Sequence, residues 1–153
     1  MLCTAHHVLD GTKEARYNAK GKRLADRYVH PNADKFYKPT HVNHPCSIWV
    51  RRSLANYEKL YELFVLLCRE YTYRYGRIHK TETKLLETLK TPPTNIPDVG
   101  FTNPPIAITN DDVKVRNEKG QAYLVKSYRN YYNVEKKSFA VWTNRGVPKW
   151  FDP

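Results

Sequence analysis

The stretch from His44 to Lys80, HPCSIWVRRSLANYEKLYELFVLLCREYTYRYGRIHK, constrains this chain more than any other. It has no glycine before Gly76 and no proline after Pro45, so nothing in it interrupts a helix of about nine turns. Val50, Leu54, Tyr57, Tyr61, Phe64, Cys68, Tyr71 and Tyr75 recur at spacings of four and three, which puts them on one helical face. Leu60, Leu63 and Leu67 widen that stripe and predict a central rod covered on more than one side. Asn43 or His44 caps its start, Pro45 falls where a missing N–H costs nothing, and Gly76 ends it.

The exit of this helix carries Arg69, Tyr73, Arg74, Arg77, His79 and Lys80, with Glu70 the only acid among them. Two readings stand side by side: cations that complement the helix dipole on a solvated face, and a phosphate-tracking patch with tyrosines placed for stacking. Formal net charge is +11 in 153 residues, and it is spread evenly along the chain. An excess of that kind favours a polyanionic partner, nucleic acid before anionic membrane. No apolar run approaches the roughly 18 residues of a membrane span, and no lipidation motif is visible, so no membrane partner is expected. The first residues lack the basic leader and apolar segment of an export signal. Three widely spaced cysteines, Cys3, Cys46 and Cys68, suit a reducing compartment, and the expected location is cytoplasmic, in a bacterial host or phage-infected cell. His6, His7, His41 and His44 with Cys46 follow no established zinc spacing, so no metal and no cofactor is expected.

Residues 1–9 read as a helix with Leu2, Ala5 and Leu9 on one face, ended by Asp10 and Gly11. Residues 12–43 show no regular period and hold six Lys or Arg between Lys13 and Arg27; they read as a solvated loop or a basic loop that orders on DNA or RNA. Thr81 is placed to cap a second amphipathic helix to about Lys90, with Leu85 and Leu89 inward. Five of the ten prolines fall within residues 91–105, an extended surface connection from which Ile106 and Ile108 turn inward. A further helix is expected from about Lys119, with Leu124, Tyr128, Tyr131 and Tyr132 on one face. The chain closes on alternating bases and aromatics. Strand signals are sparse, and no internal repeat or nucleotide-binding, zinc-protease or triad motif is present. The expected architecture is mainly α: a small single domain over 1–153, three to four helices around one long central helix, with long loops.

Several segments together resemble a known family. HHVLDG (His6 to Gly11), YKPTHVNHPCSIW (Tyr37 to Trp49), EYTYRYGRIH (Glu70 to His79), YRNYY (Tyr128 to Tyr132) and PKWF (Pro148 to Phe151) are similar to a phage branch of the pyrimidine-dimer DNA glycosylase (endonuclease V type) family. They cover around half of the chain. The resemblance implies a small helical protein that binds DNA and acts on damaged or modified pyrimidines as a glycosylase and AP lyase. In that chemistry an N-terminal amine attacks C1′, a Schiff base forms, the base leaves, and elimination cuts the strand. The first nine residues here match the end of the family's opening helix, so the amine and its assisting glutamate would precede Met1, and no catalytic residue is assigned.

The resemblance and the charge pattern together nominate a nucleic-acid surface: Asn43, His44, Arg51, Arg52, Tyr73, Arg74, Arg77, His79, Lys80, Arg129, Lys136, Lys137, Trp142, Arg145, Lys149 and Trp150. Capping competes with binding for Asn43 and His44, a solvated face for Arg51 and Arg52, and core packing for Tyr131, Trp142 and Trp150. Trp150, beside Lys149 and Arg145, is the favoured stacking ring. Two other classes stay open: a non-enzymatic accessory protein for single strands or RNA, and a phage factor gripping a host protein through the proline-rich loop.

Overall fold

The computed structural model describes residues 1–152. Among them are five α-helices, α1 (Leu2–Leu9), α2 (Pro45–Arg52), α3 (Leu54–Tyr75), α4 (Lys80–Lys90) and α5 (Leu124–Tyr131), and one antiparallel hairpin, β1 (Thr12–Tyr17) with β2 (Arg23–Val29). The chain is mainly α, with long connections between α4 and α5.

The most enclosed element is the shortest of the expected helices. Leu2 to His7 of α1 are all buried, and α2, α3 and both strands pack around it. Leu2, Cys3 and Ala5 join Phe36, Val50, Tyr57, Leu85 and Leu89 in one core cluster. His6 sits inside this cluster, where burial pushes its pKa down to about 4 and keeps it neutral at pH 7. Beside it, His7 has no hydrogen-bond partner on either ring nitrogen among the described residues.

The expected single rod is two helices. Ser53, fully buried and extended at φ −154°, ψ 146°, closes α2 and opens α3. The freed N–H of Leu54 donates to the Pro97 carbonyl at 2.7 Å, and the buried Asn56 ties the same proline-rich segment down. Its Nδ2 donates to the Trp49 carbonyl and to Thr102 Oγ1, both at 2.9 Å, and its Oδ1 accepts from the Thr102 N–H at 2.9 Å. An apolar period does not register one non-helical residue, so the stripe in the sequence runs straight through the break.

The stripe is also narrower than expected. Val50, Tyr57 and Cys68 are buried, but Leu63 and Leu67 are 57% and 63% exposed and Tyr75 is 51% exposed. The α3 helix is therefore covered on one side only. Two stripe tyrosines anchor it through their polar tips: Tyr57 Oη donates to the Leu89 carbonyl at 2.9 Å and Tyr61 Oη to the Leu86 carbonyl at 3.0 Å. Each such bond adds about 1 kcal/mol net, beyond the area the ring buries. Gly76 ends the helix in the left-handed region at φ 63°, as expected.

Histidines, not threonine, start two helices. His44 Nδ1 accepts from the Cys46 N–H and His79 Nδ1 from the Thr81 N–H, each at 3.1 Å. Capping is thus the role of His44, and His79 replaces Thr81 as the cap of α4, whose Leu85 and Leu89 are buried as expected.

Residues 12–29, read from sequence as loop, form the hairpin. It closes on a five-residue turn in which Asn18 Oδ1 accepts from the Lys20 and Lys22 N–H groups at 2.9 Å, with Gly21 at φ 74°. Residues Asn117 to Gln121 repeat that turn with the same Asn-x-Lys-Gly pattern, Asn117 Oδ1 accepting from Lys119 and Gln121. This second turn delays α5 to Leu124, five residues beyond the expected start. The helix then widens into a π-helical turn over Tyr132–Lys136.

Candidate nucleic-acid interface

The C-terminal half of α3 faces residues 132–142 across a cleft of about 820 Å³. One wall is set by α3: Tyr71 and Tyr75, four apart, sit on one face with ring centroids 4.8 Å apart, and His79 meets Tyr71 at 4.8 Å. Arg74 and Arg77 lie on the same wall. The other wall is built by the π-helical turn and the segment leading away from it, through Tyr132, Lys136, Phe139 and Trp142. Tyr132 and Lys136, the first and last residues of that turn and four apart, lie on one face and line the cleft together.

Glu70 organises the charges. Arg145 grips it with two bonds, Nη2 to Oε2 at 2.6 Å and Nε to Oε1 at 2.9 Å, and Arg74 Nε reaches Oε1 at 2.7 Å. Hydrogen bonds from Arg145 first and Arg74 second hold the Glu70 carboxyl down to about pKa 2. The Arg145 guanidinium also stands 3.9 Å over the Tyr73 ring, and Asn144 Nδ2 donates to the Arg74 carbonyl at 2.8 Å. Arg74, Arg77, Lys136 and Arg145 outnumber Glu70, the one carboxylate among the lining residues, together with Glu82 and Glu135, whose charges reach the lining Cys68 and Lys136, so a net positive charge remains at the cleft.

A second, mostly apolar cleft of about 570 Å³ shares Tyr132 and Trp142 with the first and adds Leu124, Tyr128, Arg129 and Trp150. Trp142 meets Trp150 and the buried Phe151 edge-on at 6.2 and 5.3 Å. Trp142 Nε1 is buried and has no hydrogen-bond partner among the described residues. The Trp150 face is occupied by the Arg129 guanidinium at 5.7 Å. Its cation is Arg129 and not Arg145, which corrects the expected grouping.

Of the sixteen residues nominated from sequence, Arg74, Arg77, His79, Lys136 and Trp142 converge on the first cleft, with Tyr73 and Arg145 at its rim. Arg129 and Trp150 line the second. The others do not join them. Arg51 is half-buried and donates to the Val42 carbonyl at 2.7 Å, a clamp on the segment before α2 and not a free phosphate ligand. Arg52, Asn43, Lys80 and Lys149 are exposed, and Lys137 stands 3.9 Å from Asp152. Sequence reasoning assigns Tyr71 and Tyr75 to the core and gives Glu70 no part. No spacing singles them out: the four-residue interval of the tyrosines is that of the stripe assigned to the core, and the acid reads as one more charge on a solvated face.

Comparison of the chain with protein-family models, with curated proteins and with solved structures returned no match.

Proposed function

We propose that this protein binds nucleic acid, DNA in the first place, in the cleft between the C-terminal half of α3 and residues 132–142. The observation that carries this reading is convergence: cations and rings some 60 residues apart in sequence share one concave surface with a single acid. Arg77 and Lys136 would take phosphates, Glu70 would hold Arg74 and Arg145 at fixed positions beside them, with Tyr73 under the Arg145 guanidinium, and Tyr75 and Trp142 would offer flat apolar faces to bases. The resemblance extends the proposal to a glycosylase and lyase acting on damaged or modified pyrimidines in a bacterial or phage-infected cytoplasm. A non-enzymatic binding protein would use the same cleft and differ only in chemistry.

Fluorescence anisotropy with labelled single-stranded and duplex oligonucleotides tests the binding reading. The double variant Arg77→Ala, Lys136→Ala is expected to bind on the order of tenfold more weakly at moderate salt, with a shallower salt dependence. Unchanged affinity in a folded double variant would remove the cleft as the site. Borohydride trapping on damaged duplex, with this chain and with one extended upstream, tests the chemistry. No covalent adduct from either would leave binding without catalysis.

A further inference from the structure

A third cleft, of about 770 Å³, opens beside α1, the end of β2 and α4, away from every residue nominated for nucleic acid. His6 lies on α1, and Asp10, four residues on, caps its C-terminal end with the backbone still in the helical region, so the two share a face. The hairpin returns the chain until His30 reaches the same place, and candidate ligand atoms of the three side chains lie within 4.8 Å of one another.

Each of the three is already held. Tyr57 has one hydroxyl proton, and it goes to the Leu89 carbonyl at 2.9 Å. In the 2.8 Å contact between Tyr57 Oη and His6 Nε2 the histidine is therefore the donor, and the lone pair of neutral His6 resides on Nδ1. Metal-binding histidines are fixed in this manner, one nitrogen tied to an acceptor and the other left free. Phe36 stacks on the His6 ring at 4.4 Å and meets His30 edge-on at 5.0 Å, which limits rotation of both imidazoles. The Asp10 carboxylate accepts from the Thr94 N–H at 2.8 Å, the Asn95 N–H at 2.9 Å and Asn95 Nδ2 at 3.1 Å. Three bonds leave a carboxylate with lone-pair capacity to spare. His30 Nδ1 accepts from the Asn32 N–H at 3.0 Å, so its neutral form carries the proton on Nε2. Ligation through Nε2 moves that proton to Nδ1 and releases the Asn32 N–H.

We infer that His6, Asp10 and His30 form a binding site for a first-row divalent cation of the zinc type, with its remaining coordination open to the cleft. Two imidazoles and one carboxylate suit such borderline ions, whereas magnesium and calcium take oxygen ligands throughout. Three protein ligands with a free position is the composition of reactive, not purely structural, sites. Lys35 and Glu87 also line the cleft and bring opposite charges to its rim.

Titration of the untagged protein with Co²⁺, followed in the visible spectrum, and with Zn²⁺, followed by calorimetry, tests the site. One equivalent is expected to bind, with intense low-coordinate Co²⁺ bands that Zn²⁺ abolishes. Asp10→Asn, whose single carbonyl oxygen keeps the acceptor for the Asn95 N–H but sets an NH2 group against the Thr94 N–H, and His30→Gln are each expected to weaken binding on the order of tenfold or more. The double variant His41→Ala, His44→Ala is expected to leave it unchanged. Wild-type NMR supplies a readout that no variant's folding affects: Zn²⁺ should shift the His6 and His30 imidazole signals and the Asn32 amide, and leave those of His79 in place. Absence of stoichiometric binding, or binding that moves with His41 and His44, would overturn the assignment.

Discussion

Glu70 is one carboxylate serving two guanidiniums, and its titration reports whether the cleft wall is assembled. A carboxyl whose folded pKa lies below its unfolded value stabilises the fold above the unfolded value, here 4.5, and loses that contribution as pH falls through about 2. The clamp therefore acts in full at neutral pH and weakens only in acid. Carbon-detected NMR of the Glu70 side chain should give a midpoint near 2 in the wild type, rising in Arg145→Ala. An unmoved midpoint in that variant would mean that the bidentate contact does not form. Asn56 makes a different kind of commitment, because its three bonds lie at a fully buried position. Asn56→Ala leaves the Trp49 carbonyl and the Thr102 groups without partners, and a loss of about 3 kcal/mol in denaturant unfolding is expected. Neither role is legible in the sequence. An acid among cations and an amide beside an apolar stripe both read as surface until the partners from distant segments, Arg145 and Thr102, are in view.

At the level of elements, legibility follows burial on one face. The α1 and α4 helices bury Leu2, Ala5, Leu85 and Leu89, and their spacing announces them. The hairpin buries no strand residue among Thr12–Tyr17 and leaves most of Arg23–Val29 exposed, so it offers no alternation to be read. What marks it is turn chemistry, the Asn-x-Lys-Gly pattern that recurs at Asn117. The junction of α1 with the hairpin is tight at Gly11, where a Cβ would collide with the His7 and Val29 carbonyl oxygens. Gly11→Ala is expected to cost on the order of 2 kcal/mol or more, seen as a lowered midpoint in thermal unfolding. Gly146→Ala, with open space around it, should change stability little.

For the whole molecule, the charge of +11 is distributed over surfaces that the cleft does not include, the hairpin among them. Part of it is locally offset: Asp26 pairs with Lys13 at 3.0 Å and Arg23 at 2.7 Å, and Asp111 with Lys114 at 2.9 Å and Arg116 at 2.7 Å. Exposed pairs of this kind add little stability, but they thin the field at residues that do not line the cleft. Binding to duplex DNA should weaken steeply with salt, each neutralised phosphate contributing about 0.9 to the logarithmic slope. Removing two cleft cations should reduce that slope by about 2, while Lys13→Ala should hardly alter it. Equal effects from both changes would mean that attraction is diffuse and the concave surface has no privileged part in it.

The single extended residue at Ser53 makes the length of the rod and the seating of the proline-rich segment one variable. A continuous helix would consume the Leu54 amide internally and evict the Pro97 oxygen that now plugs it. Any change that perfects the helix there should unfasten the strap, so that gain in one local preference becomes loss of an attachment more than forty positions downstream.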